Sequence, residues 1–213
     1  MLTLIKREIQ DHIAYFLGAV ILTATIIVLA LSVAYHAGPR NEAINEIIYL
    51  GLSLPVIVIL MTGFSSMGVS QMYTDRARKV SAFLSTLPVS RSQILLARII
   101  TGALAILTVV LPLAATGMAL RYLFAPPIPV FSGMLIDIFA AIFLVGFACY
   151  CLGLLTGWTT SKTATALACL ALTCVIVSLI LVKGLGPSTK VILILFIVAC
   201  LTRTWQKFMS TSL

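Results

Sequence analysis

The sequence contains few charged residues, and acidic residues are the scarcest of them. Among 213 residues there are 6 Asp or Glu, 14 Lys or Arg and 2 His, and charged residues make up 9% of the chain. Soluble domains usually contain about 25% charged residues. The composition therefore argues against a water-soluble globule, a disordered chain and a nucleic-acid-binding domain.

The chain also lacks the sequence patterns of an enzyme. Neither His12 nor His36 lies in an H-E-x-x-H pattern, and there is no G-x-S-x-G sequence or acidic cluster for a metal. The nearest approach to an ATP-binding P-loop, at residues 184–190, lacks the Gly-Lys-Ser/Thr ending. Cys149 and Cys151 point to different faces of a helix and do not form a metal-binding pair. We therefore predict no catalytic, cofactor or metal site in this chain.

Apolar sequence, by contrast, is abundant. Hydrophobic residues make up 61% of the chain, and the mean hydropathy is +1.17. A helix needs roughly 20 apolar residues to cross the hydrocarbon of a bilayer. The predicted spans are 13–34, 47–69, 99–120, 134–155, 163–182 and 187–204. The last reaches full length only if Lys190 and Arg203 extend toward opposite interfaces. The sequence thus predicts an all-α integral membrane protein with six transmembrane helices in a single domain, residues 1–213.

The positions of the cations predict the orientation of the chain. With the N-terminus in the cytoplasm, ten of the fourteen Lys and Arg residues fall in cytoplasmic segments and four in outer segments. Cytoplasmic loops of membrane proteins carry an excess of Lys and Arg. We therefore predict that both termini are cytoplasmic and that the chain lies in the cytoplasmic membrane. The net charge of +8 is then mainly a topology signal, and no nucleic-acid partner is expected.

The N-terminal residues predict a short amphipathic helix before the first span. Leu2, Ile5, Ile9 and Ile13 recur at helical spacing, and polar residues cover the other faces. Such a helix can lie on the cytoplasmic surface of the membrane, or it can be a polar cap on the first span. The following apolar run is longer than the core of a signal peptide, about 7–15 residues, so we expect it to be retained.

The longest polar segment, residues 71–98, predicts two helices joined by a tight turn. Four apolar residues form one helical stripe at i, i+3, i+4 and i+7: Val80, Phe83, Leu84 and Leu87. Pro88 ends this helix, and Ser90 with Gln93 forms a capping box that starts a second helix, which runs through Arg98 into the third span. From periodicity alone, the first helix could also rest on lipid headgroups, with its basic residues against anionic lipid.

The same segment carries a family resemblance. It reads Y-T-D-R at 73–76, F-L-S-T-L-P-V-S-R-S-Q-I at 83–94 and L-A-R at 96–98. This order is similar to the cytoplasmic loop of type-two ABC transporter permeases, the six-helix membrane subunits of bacterial ABC exporters. Two features depart from the family. Residues 78–81 lack the glutamate that often precedes the leucine-rich helix, and residues 183–190 are too few for the re-entrant hairpin of many members.

The resemblance implies a coupling helix that sits in a groove on a separate ATP-binding subunit. The residues implied to make or support that contact are Asp75, Arg76, Arg78, Val80, Phe83, Leu84, Leu87, Pro88 and Ser90. ATP and Mg²⁺ would be bound by the partner ATPase. Six spans are half of the usual twelve, which implies a homodimer or a pair with a similar permease.

The function implied is ATP-driven export of an amphipathic or lipid-like substrate, such as a drug, a peptide or a lipid. The alternative is a multi-pass membrane protein outside the ABC group, either an ion-coupled transporter or a scaffold. The chain itself is expected to be non-catalytic, with transport powered in the partner subunit.

Small residues and one carboxylate within the spans are further candidates for packing or for the transport pathway. The small residues are Gly63, Ser65, Ser66 and Gly68 in the second span and the G-x-x-x-G pair Gly153 and Gly157 in the fourth. Small residues allow close helix approach, so helix packing is the preferred interpretation. Asp137, the only acidic residue within an apolar run, is a candidate functional carboxylate. The alternative for Asp137 is a structural role, either exposed to water or paired with Arg121.

Overall fold

The computed structural model describes residues 2–36, 58–73, 91–124, 129–157 and 186–210, together with residues 167, 171, 174, 175 and 178. The described part is helical apart from short turns and contains no strand. Its six helices are α1 (Leu2–Asp11), α2 (Ile13–His36), α3 (58–73), α4 (Arg91–Phe124), α5 (Pro129–Thr156) and α6 (Pro187–Ser210). The predicted all-α architecture is confirmed for these residues.

Three of the described helices contain an apolar stretch long enough to cross a membrane. These stretches are Ser92–Ala119 in α4, Ile136–Thr156 in α5 and Pro187–Ser210 in α6. The apolar stretch found in α2, Ile13–Leu29, is shorter. The helices support a membrane protein, while much of the predicted spans 47–69 and 163–182 lies outside the described residues.

The last helix is longer than the sequence predicts. Its apolar centre is short, yet α6 is continuous over 24 residues and extends beyond the predicted end at residue 204. Proline is well suited to the first position of a helix because its missing N–H would have no partner there. Pro187 occupies that position in α6.

Helix α4 connects the polar segment to the apolar part of the chain without a break. It begins at Arg91, directly after the predicted cap Ser90, and continues to Phe124. Pro112 lies inside it and cannot donate a backbone hydrogen bond, but the helix does not end there. The predicted helix that runs through Arg98 into the third span is therefore confirmed.

Helix α4 is also the centre of the described packing. It contacts α1, α2, α5 and α6. The N-terminal helix α1 forms as predicted, and it packs against α4 as well as α2. Neither sequence interpretation of α1, as a surface helix or as a cap on the first span, anticipates this contact with α4.

Helices α5 and α6 pack against each other and run in the same direction. Near their N-terminal ends, Lys190 of α6 binds Asp137 of α5. Near their C-terminal ends, Tyr150 of α5 and Phe208 of α6 both contact Arg98 of α4.

Candidate functional site

The residues that the resemblance assigns to ATPase contact lie outside the described part of the chain. All nine, Asp75, Arg76, Arg78, Val80, Phe83, Leu84, Leu87, Pro88 and Ser90, fall between residues 74 and 90. We refer to residues 74–90 as the coupling segment. The structure does describe both of its flanks, which are the last described residues of α3 and the N-terminal end of α4.

The two flanks meet at a buried polar cluster around Arg98. We define the Arg98 cluster as Glu8, His12, Gln71, Met72, Arg98, Tyr150 and Phe208. These residues come from α1, from the turn that follows it, and from α3, α4, α5 and α6. The helix ends that meet here are the ones that the sequence predicts to be cytoplasmic.

Arg98 is buried but its charge is compensated. Its residue surface is 2% exposed. Its Nε lies 3.3 Å from Oε1 of Glu8, and its Nη1 lies 3.5 Å from the sulfur of Met72. The guanidinium carbon is 6.0 Å from the centre of the Phe208 ring, a distance at which a cation and an aromatic face attract each other. Arg98 therefore makes polar or cation–π contacts with α1, α3 and α6.

Tyr150 links the two flanks of the coupling segment. It is fully buried, and its hydroxyl oxygen lies 2.6 Å from Oε1 of Gln71 and 2.8 Å from the backbone carbonyl oxygen of Arg98. Gln71 belongs to the end of α3 and Arg98 to the start of α4. A single side chain of α5 thus holds both helices at fixed distances.

The hydroxyl has one proton for these two acceptors. If Tyr150 donates that proton to the Arg98 carbonyl, a rotated Gln71 amide can donate from Nε2 to the hydroxyl oxygen. Without that rotation Gln71 Nε2 is buried and has no partner among the described residues. Buried donors left unpaired are unfavourable. The rotated amide, with Tyr150 donating to Arg98, is therefore the better-satisfied arrangement.

A glycine on α4 makes room for the Tyr150 ring. Gly102 lies one helical turn after Arg98, and a Cβ at this position would overlap the ring carbons of Tyr150. Helix α4 therefore presents bare backbone to the aromatic ring. This close approach brings the Tyr150 hydroxyl within reach of the Arg98 carbonyl.

Within the Arg98 cluster, the His12 side chain is neutral. Burial lowers its pKa below the ordinary value of 6.5, against the opposing carboxylates of Glu8 and Asp11. Its Nε2 is 3.8 Å from Oε2 of Glu8, which is too long for a hydrogen bond. At neutral pH the Glu8 carboxylate is therefore left to pair with Arg98.

Four small residues of the second and fourth predicted spans lie where α3 and the C-terminal part of α5 approach each other closely. A Cβ at Gly68 would lie 2.5 Å from the Tyr150 carbonyl oxygen, and Gly153 and Gly157 approach the backbone of α3 similarly. The Ser65 hydroxyl is buried and lies 3.3 Å from the Cys149 carbonyl oxygen. Gly63 and Ser66 lie on the exposed face of α3 instead. Ser65, Gly68, Gly153 and Gly157 thus lie together between α3 and the C-terminal part of α5. Gly63 and Ser66 lie apart from them.

The candidate carboxylate Asp137 lies at the opposite end of the bundle from the Arg98 cluster. Its Oδ1 accepts a hydrogen bond from Nζ of Lys190 at 2.8 Å. The Asp137 side chain is 71% exposed and that of Lys190 is 24% exposed. The observed partner is therefore Lys190, whereas the Arg121 side chain lies outside the described residues.

Sequence reasoning did not single out Glu8, Gln71 or Tyr150, and it treated Arg98 only as the basic residue entering a span. One signal was available. Arg98 interrupts an apolar stretch between Ile94 and Ile100, and a cation in such a place needs a partner. The sequence does not show that the partner is a glutamate 90 positions earlier.

The cluster is suited to holding helices in place. Among the described residues, no group of three or more His, Cys, Asp or Glu side chains is arranged to bind a metal ion. The contacts of Arg98, Tyr150 and Gln71 instead fix the relative positions of five helices at the base of the coupling segment.

Comparison with known proteins identifies the family. A family model described as "ABC-2 family transporter protein" matches residues 46–207. No curated protein and no solved structure matches the chain. The matched region contains Gln71, Arg98 and Tyr150, and it excludes α1 and Phe208.

Proposed function

Because the chain belongs to the ABC-2 transporter family, we propose that it is the membrane-spanning permease subunit of an ATP-driven exporter. The observation that carries this proposal is the match over residues 46–207, which includes the coupling segment and the helices that flank it. This family membership favours an ABC permease over an ion-coupled transporter or a membrane scaffold.

In this proposal the energy comes from a partner subunit. The sequence has no complete P-loop, so ATP and Mg²⁺ bind to a separate ABC ATPase. The apolar stripe of the coupling segment, Val80, Phe83, Leu84 and Leu87, packs into a groove on that ATPase, with Asp75, Arg76 and Arg78 at the polar rim. Pro88 and Ser90 form the turn into α4.

The Arg98 cluster supports this mechanism from the membrane side. Movement of the coupling segment displaces α3 and α4 only if the contacts between these two helices are rigid. Tyr150 joins Gln71 of α3 to the backbone of Arg98 in α4, so both flanks share one anchor. A push on the coupling segment would therefore displace α3 and α4 together, which is the type of rigid-body motion that couples distant sites.

We also infer the topology of the complete subunit. The parallel arrangement of α5 and α6 requires a returning segment between them, and the predicted fifth span, residues 163–182, would supply it. The residues described within that stretch, 167, 171, 174, 175 and 178, are helical. We infer six spans with both termini in the cytoplasm, in the cytoplasmic membrane, and the parallel arrangement of α5 and α6 supports this inference. Two such subunits, either identical or similar, would form the twelve-helix exporter.

The substrate class in this proposal is amphipathic or lipid-like. The packed interior between the described helices is apolar, which suits a drug, a peptide or a lipid better than a strongly hydrated ion. Measuring substrate-stimulated ATP hydrolysis of the reconstituted complex against a panel of such molecules would identify the cargo.

The proposal is tested by breaking the predicted contact with the ATPase. Phe83→Asp or Leu84→Asp places a charge in the apolar stripe, and we expect normal membrane insertion but loss of co-purification with a co-expressed partner ABC ATPase. The matched control is Ser85→Asp, which adds the same charge on the polar face of the same predicted helix. Normal association of the Phe83→Asp variant would show that the coupling assignment is wrong.

A further inference from the structure

The N-terminal helix α1 meets the rest of the protein at an ion pair between a half-buried Glu8 and a buried Arg98. The Glu8 side chain is 18% exposed and that of Arg98 is 2% exposed, with 3.3 Å between Oε1 and Nε. The neighbouring Lys6, Arg7, Gln10 and Asp11 are exposed. The amphipathic character of α1 therefore includes an inward-facing carboxylate as well as apolar positions.

The residue that holds α1 is also the residue that anchors the coupling segment. Arg98 contacts Glu8 through its guanidinium, and its backbone carbonyl is bonded to Tyr150. Its Nη1 reaches Met72, in the last turn of α3. Arg98 therefore connects Glu8 of α1 to both flanks of the coupling segment.

We propose that the Glu8–Arg98 pair makes α1 a rigid extension of the base of the coupling segment, so that α1 and α4 move as one body when the partner ATPase closes. This inference rests on the proposed function for the source of the motion. It concerns a part of the chain outside the family match, which begins at residue 46.

The burial of Arg98 favours a pair that stays closed when the helices move. Removing one partner of a buried ion pair leaves an uncompensated charge, which is strongly unfavourable. His12 is beside Glu8, but burial keeps it neutral, so it does not compete as a cation at neutral pH. Asp11 forms its ion pair with Arg7, at 3.9 Å on the exposed side of α1. Glu8 is therefore a positioning residue that acts through Arg98.

The distance between α1 and α4 tests the proposal directly. Spin labels are placed at Lys6→Cys and Gln93→Cys, two exposed positions, with Cys169 and Cys174 replaced by serine. The distance distribution is measured by pulsed electron paramagnetic resonance on the permease–ATPase complex, without nucleotide and with ATP trapped by vanadate. We expect one narrow distribution that is the same in both states.

Glu8→Gln in the same labelled background removes the charge and keeps the side-chain shape. We expect a broader distribution that changes when nucleotide is trapped, because only α4 then follows the coupling segment. Asp11→Asn, which removes an exposed charge from the same helix, should behave as the parent does. If Glu8→Gln does not accumulate, Glu8→Asp keeps the charge on a shorter side chain and should broaden the distribution less.

Two outcomes would overturn the inference. One is a nucleotide-dependent distance in the parent complex, which would show that α1 moves separately from α4 and follows the membrane or the ATPase. The other is a Glu8 variant with the parent's narrow, unchanging distribution. If the ATPase does not associate at all, the proposed function fails, but the width of the distribution in the permease alone still shows whether Glu8 holds α1.

Discussion

The two ends of the helix bundle each contain an acid–base pair, and the two pairs differ in almost every other respect. Arg98 is buried and Glu8 is half-buried, and Arg98 has further contacts with α3, α5 and α6. Asp137 and Lys190 form the shorter contact, at 2.8 Å, but the Asp137 side chain is 71% exposed. We call Glu8 and Arg98 the inner pair, and Asp137 and Lys190 the outer pair, after the sides of the membrane that the sequence predicts for them. The inner pair belongs to a cluster of five helices, and the outer pair joins α5 to α6.

The comparison shows that distance is a poor guide to the importance of an ion pair. An exposed pair is screened by water and typically contributes about 0.2–1 kcal/mol. Breaking a buried pair by removing one partner costs about 3–5 kcal/mol, because the remaining charge is left uncompensated. The longer inner contact should therefore matter more for stability, and it is also at the place where the proposed mechanism needs rigidity.

The largest effect is expected from Arg98→Met, which keeps an apolar stem and removes the charge. Glu8 then loses its buried cation, and Met72, Phe208 and Glu8 lose a common partner. We expect a loss of about 3–5 kcal/mol in the free energy of unfolding. The measurement is the thermal midpoint of unfolding of the detergent-solubilised protein. It is monitored by size-exclusion chromatography after heating to increasing temperatures.

The matched control for this prediction is Arg7→Met, because Arg7 pairs with Asp11 at 3.9 Å on an exposed face. It should change the midpoint little. Equal thermal midpoints for Arg98→Met and Arg7→Met would show that the two ion pairs contribute equally to stability. The Arg98 cluster could then not be the rigid base of the coupling segment.

A smaller effect is expected from Tyr150→Phe, which removes one hydroxyl and keeps the ring against Gly102. The Arg98 carbonyl and the Gln71 amide then lose their shared partner while they remain buried. An unpaired buried group such as the Gln71 amide costs about 1–3 kcal/mol, whereas the Arg98 carbonyl oxygen still accepts the backbone hydrogen bond within α4. We expect a lower thermal midpoint and a weaker response of transport to ATP, since α3 and α4 are no longer tied together.

Tyr122→Phe is the control for this change, because Tyr122 is 90% exposed. Loss of its hydroxyl should leave both stability and transport unchanged. If Tyr150→Phe behaves like Tyr122→Phe in both measurements, the hydroxyl is not the link between the flanks of the coupling segment.

Local patterns predicted the helices well, because each depends on residues close in sequence. The capping box at Ser90 and Gln93 predicted the start of α4 to within one residue. The apolar run before Arg203 predicted the position of α6, although that helix continues beyond residue 204 to Ser210. Gly68 and Gly153 were predicted as packing residues, since a small side chain in a span has few other uses.

The Arg98 cluster could not be predicted in the same way, because its members are far apart in the chain. Glu8 and Arg98 are separated by 90 positions, and Gln71 and Tyr150 by 79. The hydrophobic periodicity of α1 favours an orientation toward lipid, and nothing local shows that one of its charged residues faces a protein partner. Likewise Asp137 had a cation nearer in sequence, Arg121, than its observed partner Lys190.

The smallest effect is expected from Asp137→Asn at the outer end. The variant keeps the shape of the side chain and removes half of an exposed pair, so we expect a change of at most about 1 kcal/mol that disappears at high salt. Thermal midpoints at low and high ionic strength measure it, and Lys190→Met should give the same result. If transport is also unchanged, Asp137 has no part in the mechanism. A salt-independent loss as large as that of Arg98→Met would contradict the comparison, because the outer pair would then hold the bundle as firmly as the buried one.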